Sequence, residues 1–401
     1  MNGNKKIMKR IPGGVLVLGF VSMLMDISSE MIHSILPLFM VGALGASGFL
    51  VGVVEGLAEA VALVTKVFSG VLSDWLGKRK WLTAIGYALG AFTKPFFALA
   101  SSMGVVTAAR LTDRVGKGIR GAPRDALIAD ITPFEVRGAA FGLRQSLDTA
   151  GAFLGPLIAV GLMLLWANDF RKVFWVAVIP GILAVLLVVF GVKEPVKEST
   201  EKRTNPIGRE SLKKLSNSYW RVVCIGAFFS LARFSEAFLA LRAAQSGIYL
   251  AFVPLIMVVM NIVYFFSAYP FGKLSDRSSH TKMLIIGLLV LIAADLILAA
   301  SAHWIVILVG VAVWGAHMGM TQGLMTRMVA DASPSELRGS AFGFFNLISG
   351  ISMLAASAIA GLMWNTLGAS ATFYAGALFS VLTILVLSLH SFRRGRQVRS
   401  I

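Results

Sequence analysis

Two stretches of this chain say nearly the same thing: DITPFEVRGAAFG at Asp130–Gly142 and DASPSELRGSAFG at Asp331–Gly343, 201 residues apart. A second pair, GVLSDWLGKRK from Gly70 and GKLSDRSSHTK from Gly272, lies at an offset of 202. Two independent pairs at one spacing indicate an internal duplication, with a period far too long for a stacked solenoid repeat. The 401-residue chain therefore reads as two homologous halves.

Composition says what the halves are. The chain is 57% hydrophobic and only 14% charged, where a soluble domain is about one quarter charged. Apolar stretches long enough to cross a bilayer as helices recur along it. They read as 14–40, 47–72, 81–100, 104–130, 138–165 and 173–192, then 219–241, 247–271, 283–301, 304–330, 339–364 and 371–391. Lipid offers no partner to a bare backbone amide, so helices are expected throughout. The apolar run at 14–25 lacks a small-residue cleavage site, so it reads as the first span and not a cleaved signal. The polar segment 193–218 separates an N-terminal six-helix bundle, 1–192, from a C-terminal one, 219–401, as a linker.

A net charge of +17 invites a nucleic-acid partner, but its distribution rejects one. With twelve spans and the N-terminus inside, the loops on the inner side carry most of the Lys and Arg. The opposite side carries Arg171, Lys172 and Arg242. That is the positive-inside asymmetry, and it puts both termini in the cytoplasm and the chain in the plasma (inner) membrane. The lone Cys224 excludes an intrachain disulfide and is expected to be a buried thiol.

These residues carry a resemblance to the major facilitator superfamily of secondary transporters, over essentially the whole chain. Gly70, Leu72, Asp74, Gly77 and Arg79 match that family's loop signature G-x-L-x-D-x-x-G-x-R, with Trp75 at a usually basic position. The second copy keeps Gly272, Leu274, Asp276 and Arg277 but loses the later glycine. Gly151, Gly155 and Pro156 resemble the motif of its antiporters, and Arg110 to Arg114 is distantly similar to a drug-antiporter motif. The resemblance implies an all-α fold of two pseudo-symmetric six-helix bundles and alternating access. It further implies export, of the drug:proton antiporter kind, and a conformational latch formed by Gly70, Asp74, Gly77, Arg79, Asp130, Arg137, Asp276, Arg277, Asp331 and Arg338. Two equivalent halves that rock against each other need two latches, which accounts for the repeated loops.

Ionisable residues inside a membrane are costly and usually functional. Asp26 and Glu30 stand one turn apart on one helix face, with His33 beyond them. Glu55 and Glu59 repeat the spacing. Two acids so placed oppose double ionisation, so these four are the proton-coupling candidates, with Asp26 and Glu30 first. The fourth segment is the outlier. Taking about 100° per residue, Arg114, Lys117, Arg124 and Asp113 fall within roughly 60° of Arg110. A face of that kind cannot meet lipid, and in the resembling family this segment lines the cavity together with the first, seventh and tenth. Arg110, Asp113, Arg114, Arg233, Glu236 and His317 are therefore the substrate-binding candidates. Arg144 and Asp148, at i and i+4, read as a structural ion pair. Lys66 and Lys94 read as partners of Glu59 or its neighbours, Asp295 as local packing, and Lys117 to Arg124 as residues able to snorkel.

Nothing here reads as an enzyme. Gly116-x-Gly118 lies inside a helix and follows no strand, so it is not a dinucleotide loop. No compact His or Cys spacing suggests a metal, and no cofactor is expected. The expected partners are a small-molecule solute, protons and the lipid bilayer, with the chain acting as a monomer. The solute is open between a lipophilic or cationic compound held by Asp26 and Glu30 and an organic anion held by Arg110, Arg114 and Arg233. Lipid scrambling or partner sensing by the same fold is a further class, which solute flux in proteoliposomes would separate.

Overall fold

The computed structural model describes residues 11–76, 78–194, 215–275, 278–300, 303–334 and 337–398; at 74, 275, 322, 338–340 and 389–398 the description covers the backbone alone. Every element is helical: α1 (Gly13–His33), α2 (Gly48–Leu76), α3 (Arg79–Leu99), α4 (Met103–Ile131), α5 (Arg137–Leu165) and α6 (Phe170–Gly191), then α7 (Asn217–Leu231), α8 (Ala237–Ala244), α9 (Leu255–Ser275), α10 (His280–Ala300), α11 (Trp304–Ala332), α12 (Arg338–Leu367) and α13 (Ala369–Val398). Among the described residues, ten helical spans are long and apolar enough to cross a membrane.

The fourth and seventh expected spans are the two outside that set, for different reasons. α4 has the length, but its charges remove the apolar window. The seventh is two pieces: the chain leaves helical geometry between α7 and α8, at residues 232–236. Broken backbone at such depth survives only where its freed groups find partners. Here Ser235 N donates to Ser357 Oγ at 3.1 Å and Ala237 N donates to Ser235 Oγ at 3.2 Å. The first span also ends early, at His33, and continues as a short turn and a π-helical turn at Phe39–Ala43.

The chain divides into two compact units, Met1–Leu44 with Val61–Pro206 and Gly45–Ala60 with Ile207–Ile401. In the first, α1 packs on α5 and α6, and α3 packs on α4 and α6. In the second, α7 packs on α12 and α13, and α10 packs on α11 and α13. The pairings correspond one for one, which is the duplication seen in three dimensions.

Residues 45–60 sit in the second unit because of their glycines. Gly48, Gly52 and Gly56 recur every fourth residue, a spacing that brings helix backbones together. A Cβ on Gly56 would stand 2.9 Å from Leu354 Cα, and one on Gly361 would stand 2.7 Å from Phe49 Cα. α2 thus belongs to both units.

Two of the three basic residues expected on the outer side cap helices. Arg171 donates to Ala98 O at 2.8 Å and Ala100 O at 2.7 Å, at the end of α3. Arg242 donates to Leu298 O at 3.0 Å, at the end of α10. Cations there satisfy orphan carbonyls and complement the helix dipole. Cys224 corrects an expectation: it is exposed on α7.

Candidate functional site

The site starts where α1 meets α5. A Cβ on Gly151 would lie 2.6 Å from Met23 O and 2.9 Å from Asp26 Cβ; one on Gly155 would lie 2.9 Å from Ile27 O and 2.7 Å from Glu30 Cβ. The glycines of the antiporter-like motif therefore let α5 approach α1 at the two turns that carry Asp26 and Glu30, with Pro156 buried beside them. Gly151→Ala and Gly155→Ala should each destabilise the protein by about 1–3 kcal/mol through overpacking. Gly161→Ala, on the same helix with nothing within 4 Å of its Cβ position, should be neutral or slightly stabilising. Thermal unfolding in detergent measures the contrast, and equal behaviour of all three would remove the packing argument.

α4 supplies the rest of the first unit's charge. Arg110, Asp113, Arg114 and Arg120 are all buried. Asp113 is paired with Lys94, whose Nζ donates to Asp113 Oδ1 at 2.8 Å and to Ser29 Oγ at 3.0 Å. Lys94 therefore pairs within its own unit and not with Glu59, and Lys66 is exposed. Arg114 Nη2 lies 2.9 Å from His33 Nδ1, and that ring nitrogen stands 3.7 Å from Glu30. Lys117 is exposed and lies within electrostatic reach of both Asp26 and Glu30.

Further along α4 the cations do not snorkel. Arg120 lies over the Tyr87 ring at 5.0 Å, a cation–π contact. Arg124 Nη1 donates to Ser22 Oγ at 2.9 Å, and Ser22 is hydrogen-bonded to Tyr87 at 2.8 Å. Arg144 and Asp148 form the expected ion pair.

The second unit holds a smaller charged group. Arg233, in the break between α7 and α8, lies within electrostatic reach of Glu236, Glu59 and Tyr264, and over Phe229 at 5.8 Å. Glu55 is buried one turn from Glu59. His317 is fully buried, with Nδ1 2.7 Å from Gly287 O. A carbonyl only accepts, so that nitrogen carries the hydrogen.

The repeated loops behave as a matched pair. Arg79, at the start of α3, forms an ion pair with Asp130 at the end of α4 and donates to Ala126 O at 3.1 Å. In the second copy His280, at the start of α10, stands 4.0 Å from Asp331 at the end of α11, with Asp331 58% exposed. The same corner is held tightly in one half and loosely in the other. Arg137 staples its own turn, donating to Thr132 O at 3.3 Å and lying 5.7 Å over Phe134, while Gly70 leaves ordinary contact distance to Ala122. Gly77, Asp276, Arg277 and the side chains of Asp74 and Arg338 lie outside the described residues.

Sequence reasoning missed Glu194, whose Oε1 accepts from Arg79 N at 2.6 Å and Lys80 N at 3.1 Å. It satisfies the first amides of α3 from more than a hundred residues away. No local pattern announces such a cap.

With this geometry in view, the comparisons are decisive. The family model described as Major Facilitator Superfamily matches residues 18–253 and 223–400. The chain belongs to the Major Facilitator Superfamily. Among its relatives, an MFS-type transporter of Methanocaldococcus jannaschii is 32% identical over 386 residues, 94% of this chain and 95% of that one. The quinolone resistance protein NorA of Staphylococcus aureus is 27% identical over 217 residues, 54% of each chain. In fold, this superfamily member is similar to the peptide transporter POT, with a TM-score of 0.79, 15% identity and coverage of 96% and 95%. It is also similar to the nucleoside transporter NupG, with a TM-score of 0.77, 15% identity and coverage of 94% and 98%. It is a multi-pass membrane transporter acting on small-molecule substrates.

Proposed function

We propose that this transporter exchanges protons for a small organic anion, which it exports. The observation that carries the anion is the balance of charge in the first unit. Lys94, Arg110, Arg114, Lys117 and Arg120 gather around Asp26, Glu30 and Asp113, and one acid is already taken by Lys94. Bases outnumber acids in that group, and an anionic substrate would balance them. Arg110 and Arg114 are the groups for it in the first unit, and Arg233, Glu236 and His317 are the candidate groups of the second. Asp26 and Glu30 carry the proton, with Glu55 and Glu59 as the next candidates. Glu30 sits within electrostatic reach of Arg110 and Arg114, which would hold the substrate, so a bound anion and a bound proton report on each other.

The reading includes a twelve-span monomer of two bundles, 1–192 and 219–401, joined by 193–218, in the plasma membrane with both termini cytoplasmic. The Arg79–Asp130 corner and its His280–Asp331 counterpart are the latches. It works as a carrier and not as an enzyme. Export rests on the glycine contacts beside Asp26 and Glu30 and on the likeness to a quinolone resistance protein. That likeness favours a lipophilic drug as the second reading, with Asp26 and Glu30 as its anchors.

Arg110 decides between them. In thermal-shift titrations with benzoate, citrate and glucose 6-phosphate, an anion that binds the folded protein raises apparent stability. Arg110→Lys should weaken such binding by about tenfold, and Arg110→Ala by about 100-fold, the value of one charge-assisted contact. Lost stability in Arg110→Ala, restored by Glu30→Gln, would show instead that Arg110 neutralises a buried acid.

A further inference from the structure

The duplication places Asp295 at the position of Lys94 and Trp314 at the position of Asp113, each 201 residues on. In the first unit these positions hold a buried ion pair. In the second they hold an acid with no base. Asp295 is fully buried on α10, and both its carboxyl oxygens lack a hydrogen-bond partner among the described residues. Trp314 on α11 is 1% exposed, and its Nε1 likewise has no partner.

The neighbours are apolar. A Cβ on Gly376 of α13 would stand 2.7 Å from Asp295 Oδ2 and 2.8 Å from the Phe234 ring, so carboxyl and ring meet the same patch. Phe234 packs on Trp314 at 5.2 Å and on Phe373 at 5.6 Å between ring centroids. The charged and titratable groups on the surrounding elements are engaged elsewhere or turned away. His317 is held by Gly287 O, Arg242 by Leu298 O, Arg233 lies with Glu236 and Glu59, Arg327 is exposed, and Tyr374 is half exposed. None reaches Asp295. A bare carboxylate in such surroundings takes up a proton.

Phe234 is also part of the break between α7 and α8, next to Arg233. Interrupted helices are where transporters of this architecture bind and move. We propose that Asp295 is a second proton carrier. It holds a proton while Phe234 packs against it, and releases that proton to water when segment 232–236 shifts and Arg233 comes within reach of the carboxylate. The proposal rests on the proton-coupled reading above and adds Asp295, in the second unit, to its acids.

The test is infrared difference spectroscopy of the full-length protein in lipid, perfused between about pH 5.5 and about pH 8.5, a range spanning carboxyls perturbed upward from their usual values. The wild-type protein should show a protonated-carboxyl stretching band that is absent in D295N, and its loss at high pH should coincide with an amide-band change that D295N lacks. Asp295→Glu should keep the band at a shifted frequency, which supplies the assignment if D295N does not fold. Identical carboxyl regions in wild type and D295N would overturn the proposal. So would a band that never responds to pH, because that proton is structural. D26N and E30Q report on the α1 acids in the same spectra, so failure of that coupling site and failure of this one are seen separately.

Discussion

Lys94→Met should lower the stability of the protein by about 3–5 kcal/mol, the cost of leaving one member of a buried pair without its partner. Lys94 and Asp113 are 1% and 2% exposed and 2.8 Å apart. Removing the ammonium takes away the hydrogen-bonded base of buried Asp113 and leaves Arg114 and Arg120 as its charged neighbours. The paired replacement Lys94→Met with Asp113→Leu should recover most of the loss, since apolar groups of similar volume often match a buried ion pair. Thermal unfolding of the two single variants and the double variant completes the cycle. If the single variants melt as the wild type does, the pair is not structural, and Asp113 returns to the substrate-binding set. The cycle therefore separates a scaffold role from a binding role at the position where the two readings meet.

Asp26→Asn and Glu30→Gln should each abolish accumulation of solute driven by a pH gradient in proteoliposomes. The acids share one face of α1; Asp26 senses Glu30, and both sense Lys117. They should therefore titrate as a coupled group. Fixing either in the neutral form removes a site where the driving proton is bound and released. Downhill counterflow should survive, because the α4 cations remain. Single variants that still accumulate solute with wild-type pH dependence would move the coupling to Glu55 and Glu59 in the second unit. Both substitutions are isosteric, so loss of the folded protein is not expected. A normal melting curve alongside lost accumulation is the informative combination.

Much of this was legible in the residues alone. The repeated loops revealed the duplication, and the helix pairings of the two units reproduce it. Spans came from uninterrupted apolar length, which a bilayer demands and nothing else in the chain imitates. Asp26 and Glu30, Arg110 and Arg114, and the Arg144–Asp148 pair were all visible as charges where charge is costly. Spacing along one helix predicts which residues share its face, so the Arg144–Asp148 pair at i and i+4 could be read without a structure.

What the chain could not disclose was everything that depends on which faces meet. Lys94 reaches Asp113 because α3 packs on α4, and no spacing within either helix encodes that approach. Glu194 caps α3 across a long separation in sequence. The interruption at 232–236 carries neither proline nor glycine, so local propensity runs straight through it. Acceptors such as the hydroxyls of Ser357 and Ser235 make the broken backbone tolerable. In the sequence Asp295 reads as local packing, and its lack of a hydrogen-bond partner becomes visible only once its surroundings close over it. Local order follows from short-range sterics and hydropathy, which the sequence contains in full. Pairing of charges follows from distances of about 3 Å between separate helices, and those exist only after the units have folded.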